Sequence, residues 1–205
     1  MVTGSSGGIG RAIAEAFAAE GATIVVNSRD PARADAVVVA LTASGHKAMA
    51  FPADIRDPVR VKAMAAAAAE RFGRLDIWVN NAGVNVIRPA AELSVEDWKR
   101  VIDTNLNGCF YGSQAAARFM LAQKSGVIIQ IGSVFGELGL PTRTPYTTAK
   151  HGLVGMTKAL AGEWAQENVR VVCLEPGYIH AGLGLRGQEL GAFTAEEMTM
   201  IIDKA

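Results

Sequence analysis

The chain has 205 residues, half of them apolar, enough for one domain with a large core. Twenty basic side chains balance twenty acidic ones, with no charged block, which removes the bulk field that draws nucleic acid or an anionic membrane. The alanine-rich run AMAAAAAE ends in a charge far short of membrane-spanning length. The opening MVTGSSGGIG carries neither the basic nor the apolar part of a secretory signal. Cys109 and Cys173 sit in apolar contexts and are expected as buried free thiols, so the expected compartment is the reducing cytoplasm. His46, His151 and His180 are scattered and no zinc-type spacing occurs, so no metal is expected.

In chain order the strand candidates are MVT at 1–3, ATIVVN at 22–27, KAMAFP at 47–52, LDIWVN at 75–80, GVIIQIG at 126–132 and RVVCLEP at 170–176. Between them lie helix candidates at 9–20, 31–44, 57–73, 95–123 and 145–167. Ser94 is placed to cap the fourth, with Asp97 three residues on. Strands alternating with helices predict βαβ crossovers: a doubly wound parallel α/β sheet with helices on both faces, in three layers. The near-continuous apolar runs fit strands covered on both sides. No repeat, linker or internal boundary is visible, so residues 1–205 are read as one domain. In such sheets ligands lie at the carboxyl ends of the strands, where strand order reverses.

The strand-to-helix junctions therefore carry the functional signal. TGSSGGIG, at 3–10, joins the first strand to the first helix through Gly4, Gly7, Gly8 and Gly10. Glycines there permit close backbone approach, and the helix start offers free N–H groups to a pyrophosphate. The spacing is Gly-x-x-x-Gly-x-Gly, and no P-loop lysine follows. At the second junction, NSRD, Ser28 stands where an acidic residue would bind a ribose hydroxyl, and Arg29 follows it. Both are donors suited to a 2′-phosphate, although Arg29 also fits a solvated surface side chain. The fourth strand ends in NNAG and the fifth runs into Ser133. PYTTAK, at 145–150, sets Tyr146 and Lys150 four apart, on one face of a helix. An adjacent ammonium favours a phenolate, which makes proton transfer feasible at neutral pH. On its own such a pair also fits a surface contact.

Taken together, TGSSGGIG, NNAG, NLNG at 105–108, Ser133, YTTAK and PGYI at 176–179 resemble the short-chain dehydrogenase/reductase family, in its order and approximate spacing across nearly the whole chain. Within it, SVFGELGLPTRTPYTTAK looks most like the gluconate 5-dehydrogenase type, with 3-oxoacyl-carrier-protein reductases and sugar dehydrogenases as near alternatives. The resemblance implies a Rossmann fold with strand order 3-2-1-4-5-6. It implies an NAD(P)-dependent oxidoreductase, NADP favoured and NAD allowed, acting on a secondary alcohol or ketone of sugar-acid, polyol or 3-oxoacyl type. Tyr146 would be the general acid/base, Lys150 its electrostatic support and a ribose ligand, Ser133 the donor to the substrate oxygen, and Asn105 the holder of a relay water. The cofactor would lie against Gly4, Ser6, Gly8, Ile9, Gly10, Ser28, Arg29, Asp54, Ile55, Asn81, Ala82, Gly83, Tyr146, Lys150, Pro176, Gly177 and Ile179. A homodimer or homotetramer is implied, with the long helices 95–123 and 145–167 pairing across a two-fold axis. The alternative from another class is a catalytically silent dinucleotide-binding regulator on the same fold; the full Asn105, Ser133, Tyr146 and Lys150 set favours the enzyme.

There are departures from the family pattern. Where members often carry a threonine after Pro-Gly, this chain has His180 and Ala181. Where NADP users often carry a second basic residue in the glycine turn, it has Gly7, so NADP rests on Arg29 alone. The first strand is short, and no segment matches the family's last helix and seventh strand. The expectation is therefore an incomplete chain of six strands, with the strand at 170–176 as an uncovered edge, poorly soluble and weakly active by itself.

Overall fold

The computed structural model describes residues 1–179. Residues 180–205, with His180, Ala181 and the expectation about a seventh strand, lie outside the described residues. The elements are α1 (Gly8–Ala19), β1 (Ile24–Val26), α2 (Pro31–Ala43), β2 (Ala48–Ala50), α3 (Pro58–Phe72), β3 (Ile77–Asn80), α4 (Val95–Ile102), α5 (Gly108–Gln123), β4 (Gly126–Ile131), α6 (Thr144–Trp164) and β5 (Val169–Leu174).

All strand pairs are parallel: β1 with β2, β3 with β4, and β4 with β5. Val2 bridges Val26 on one side and Val79 on the other. The spatial order is therefore β2, β1, Val2, β3, β4, β5, which is the expected 3-2-1-4-5-6 with the first segment counted as a strand. That segment contributes a single bridging residue rather than a full strand, because Gly4 turns the chain away at φ 63°. Among the described residues β5 pairs only with β4, and its Val172 and Leu174 are exposed.

Alternation along the strands sends side chains to two cores. Ile24, Val26, Val79 and Ile131 pack with α1 and α2 on one face. Val25, Trp78, Ile128, Val169 and Val171 pack with α3, α5 and the end of α6 on the other. The three-layer α/β class is thus as the periodicity implied. The helices begin where local chemistry permits. Asp30 and Asp57 cap α2 and α3, each followed by proline at the first helical position, and Ser94 caps α4 by accepting from Asp97 N.

One expected helix is divided. The stretch 95–123 runs as α4 and α5 around a π-turn at Asp103–Asn107. Thr104 Oγ1 donates to Arg100 O at 2.7 Å, and Asn105 is drawn sideways to Val84. Side-chain competition of this kind widens a helical turn, and such turns cluster at functional sites. No described helix is long and apolar enough to cross a membrane, and no cluster of three or more His, Cys, Asp or Glu among the described residues could hold a metal.

Candidate active site

The turn at 3–10 is laced to the end of β3. Thr3 Oγ1 accepts from Asn81 N at 2.9 Å and Ala82 N at 3.1 Å, while Asn81 Nδ2 donates to Thr3 O at 2.8 Å. From the other side, Asn27 Oδ1 accepts from Gly4 N, and its Nδ2 donates to Phe51 O and Ala53 O. Two glycines are required by this closeness. A Cβ on Gly4 would stand 2.9 Å from Ala82 Cα, and one on Gly10 would stand 2.3 Å from Asn81 Nδ2. Beyond the turn, α1 opens on Gly7 with no side-chain cap, leaving its first N–H groups for an anion.

A cavity of about 590 Å³ runs from this turn across the carboxyl ends of the strands. Every site residue expected from the sequence lines it except Asn105. At one end Ser6 Oγ donates to Ser28 Oγ at 3.1 Å, with Arg29 exposed beside them. Asp54, on the same wall, is gripped by Arg56 through Nε and Nη2, the latter at 2.6 Å. This bond, with burial opposing it, holds the Asp54 carboxyl below the usual aspartate range.

At the other end β4 runs into Ser133, which is buried. Its Oγ accepts from Phe135 N at 3.3 Å, so the hydroxyl hydrogen remains for another acceptor. Tyr146 and Lys150 face the same space from the first two turns of α6, and the Lys150 ammonium lies 5.4 Å from the Tyr146 ring centre. Lys150 is only 6% exposed, and its Nζ donates to Ile131 O at the end of β4. Asn105 is buried behind this wall. Its Oδ1 accepts from Val84 N and its Nδ2 donates to Val84 O, both at 2.8 Å. The side chain thereby fixes the loop after NNAG.

The arrangement can hold an extended dinucleotide. The glycine cradle and uncapped helix suit a pyrophosphate, the hydroxyl and guanidinium rim suits a ribose, and Pro176, Gly177 and Ile179 close the far end. A profile of the family described as short chain dehydrogenase matches residues 1–186. The chain belongs to that family. It is 42% identical over 180 residues to a 3-oxoacyl-[acyl-carrier-protein] reductase of Synechocystis sp., covering 87% of this chain and 73% of the relative. It is 40% identical over 182 residues to glucose 1-dehydrogenase 2 of Bacillus subtilis, covering 87% and 70%. Among solved structures, a protein of Agrobacterium tumefaciens provisionally assigned as a gluconate dehydrogenase superposes with a TM-score of 0.87 at 40% identity, covering 92% of this chain and 74% of that one.

Some lining residues of this short chain dehydrogenase were not legible beforehand. Arg33 reaches the glycine turn from α2, and Asn27 ties three segments together. Arg143 is only 3% exposed on the cavity wall, where burial lowers its guanidinium below the usual arginine value. Polar side chains just beyond a strand end, such as Asn27, are the one signal that sequence alone offered. The cysteines are both free, Cys109 buried as expected and Cys173 only half-buried. Burial pushes the Cys109 thiol up to about 11.

Proposed function

We propose that the protein is an NADP-preferring oxidoreductase of secondary alcohols and ketones, with a sugar acid, polyol or 3-oxoacyl compound as substrate. The observation that carries this reading is the convergence of Ser133, Tyr146 and Lys150 on one wall of a cavity that begins at a glycine cradle. The nicotinamide would supply hydride chemistry; the protein supplies binding, orientation and proton movement. Tyr146 exchanges a proton with the substrate oxygen, and the nearby Lys150 ammonium steadies the phenolate left behind. Ser133 directs its hydroxyl hydrogen to the same oxygen, being already an acceptor from Phe135 N. Asn105 holds Val84 and so shapes the loop over the site, at the position that the family resemblance gives to a relay water.

Preference for NADP is supported by the donors Ser28 and Arg29 where an acidic side chain would repel a phosphate. The same reading has the enzyme working in the cytoplasm as a homodimer or homotetramer. For assembly the long helices offer little free apolar surface at these positions. Met120, Leu153 and Trp164 belong to the core, whereas Phe110 on α5 stays 41% exposed.

The test is oxidation of NADPH and NADH, followed by absorbance, with a panel of sugar-acid, polyol-derived and 3-oxoacyl ketones. Turnover with at least one ketone, faster with NADPH, is expected. Tight nucleotide binding with no turnover on any panel member would favour the silent regulator instead.

A further inference from the structure

We propose that Arg33 is a second cation of the subsite for a phosphate on the adenosine ribose, working beside Arg29; this rests on the reading of the cavity as an NADP site. The glycine turn itself offers no side chain at Gly7. Arg33 Nη2 lies 3.2 Å from the point where a Cβ on Gly7 would stand, so a guanidinium borrowed from α2 fills the place a side chain of the turn would take. The start of α2 fixes this reach. Pro31 opens the helix and Asp30 Oδ1 accepts from Arg33 N at 3.3 Å, seating residue 33 in the first turn.

The neighbouring groups complete an anion subsite. Ser6 Oγ donates to Ser28 Oγ, and Ser28 Oγ also accepts from Asp30 N at 3.2 Å, which fixes both hydroxyls at the rim that Arg29 and Arg33 share. Two carboxylates face the same region. Asp30 is turned to the backbone of α2, and Asp54 is gripped by Arg56, with Arg29 close enough to stabilise its charge as well. A phosphate monoester carries close to two negative charges and three acceptor oxygens, enough to engage both guanidinium groups, whereas a free ribose hydroxyl can answer neither charge. A cation in the first turn of a helix also opposes the helix dipole. Arg33 thus stands at a position that local helix stability disfavours, as a residue kept for a ligand would.

The experiment is fluorescence titration of NADPH and NADH into the full chain, Arg33→Ala, Arg29→Ala and the double variant, with 2′,5′-ADP and 5′-ADP as nicotinamide-free probes. Arg33→Ala is expected to weaken NADPH and 2′,5′-ADP by roughly five- to thirtyfold. NADH and 5′-ADP should stay within about twofold, and the melting temperature without nucleotide should be unchanged or slightly higher. Equal weakening of both nucleotides would overturn the proposal, since Arg33 would then merely shape the turn. So would an NADPH preference that survives Arg33→Ala and vanishes with Arg29→Ala. A protein that binds NADH but not NADPH overturns the role of Arg33 and leaves the oxidoreductase reading standing; one that binds neither overturns both.

Discussion

Replacing Gly10 by alanine separates local propensity from tertiary packing. Within α1, alanine is favoured over glycine by about 1 kcal/mol, so helix propensity alone expects a stabilised protein. The new methyl would stand 2.3 Å from Asn81 Nδ2 and 2.7 Å from Gly4 O. Gly4 O belongs to a turn pinned by Asn27 and cannot retreat, so the Asn81 amide must move and release Thr3 O and Gly4 O. Overpacking costs about 1–3 kcal/mol and an orphaned buried acceptor about 1–3 more. Set against the propensity gain, the net loss is about 3 kcal/mol, which lowers the melting temperature of a domain this size by roughly 6–12 °C. NADPH affinity should fall at least ~10-fold, because the displaced turn is the cradle itself. Urea unfolding and nucleotide titration of Gly10→Ala, Asn81→Ala and the double variant provide the assay. The two sites are expected to couple by at least ~0.5 kcal/mol. A Gly10→Ala protein as stable as the parent, with additive effects in the double variant, would refute the packing of this turn.

Further expectations concern distinct parts of the fold. Leu153→Ala, on the buried side of α6, should cost about 2–5 kcal/mol in urea unfolding, whereas Phe110→Ala should leave unfolding within about 0.5 kcal/mol and weaken any assembly seen by light scattering. Because Arg56 depresses the Asp54 carboxyl, that pair stabilises the fold above the ordinary aspartate range, near ~3.9, and its contribution is lost as pH falls through the lower folded value. Arg56→Ala should therefore flatten the acid limb of a stability-against-pH curve, and an unchanged limb would count against the pair. Cys109, pushed up to about 11 by burial, should react with a thiol-specific disulfide reagent at least ~10-fold more slowly than half-buried Cys173 at mildly alkaline pH.

What the sequence disclosed and what it hid follow from range. Tyr146 and Lys150 were legible because four residues of helix place them together, and the glycine turn because its signal is local. The sheet order was legible through the alternation of elements and the family resemblance. The π-turn at Asp103–Asn107 was not, because the helical pattern continues unbroken through it and one of the contacts that draw it out joins Asn105 to Val84, twenty-one positions apart. Arg33 was missed for the same reason, since its partner in space is Gly7, on another element. The lacing of Thr3, Asn27 and Asn81 joins three strand ends that only the folded sheet brings together. Nor does the sequence separate core from surface along the long helices. Apolar residues there read alike in sequence, and only burial separates Met120 in the core from Phe110 at the surface.

The most direct measurement is single-turnover reduction of an active ketone by NADPH in the Tyr146→Phe variant, with NADPH affinity measured on the same sample. Removing the hydroxyl deletes the proton donor and leaves the ring beside Lys150 and the cavity wall intact. The rate is expected to fall at least ~10²-fold with nucleotide affinity nearly unchanged. A variant that keeps most of its rate while binding NADPH normally would remove Tyr146 from the chemistry and contradict the proposed function of this site.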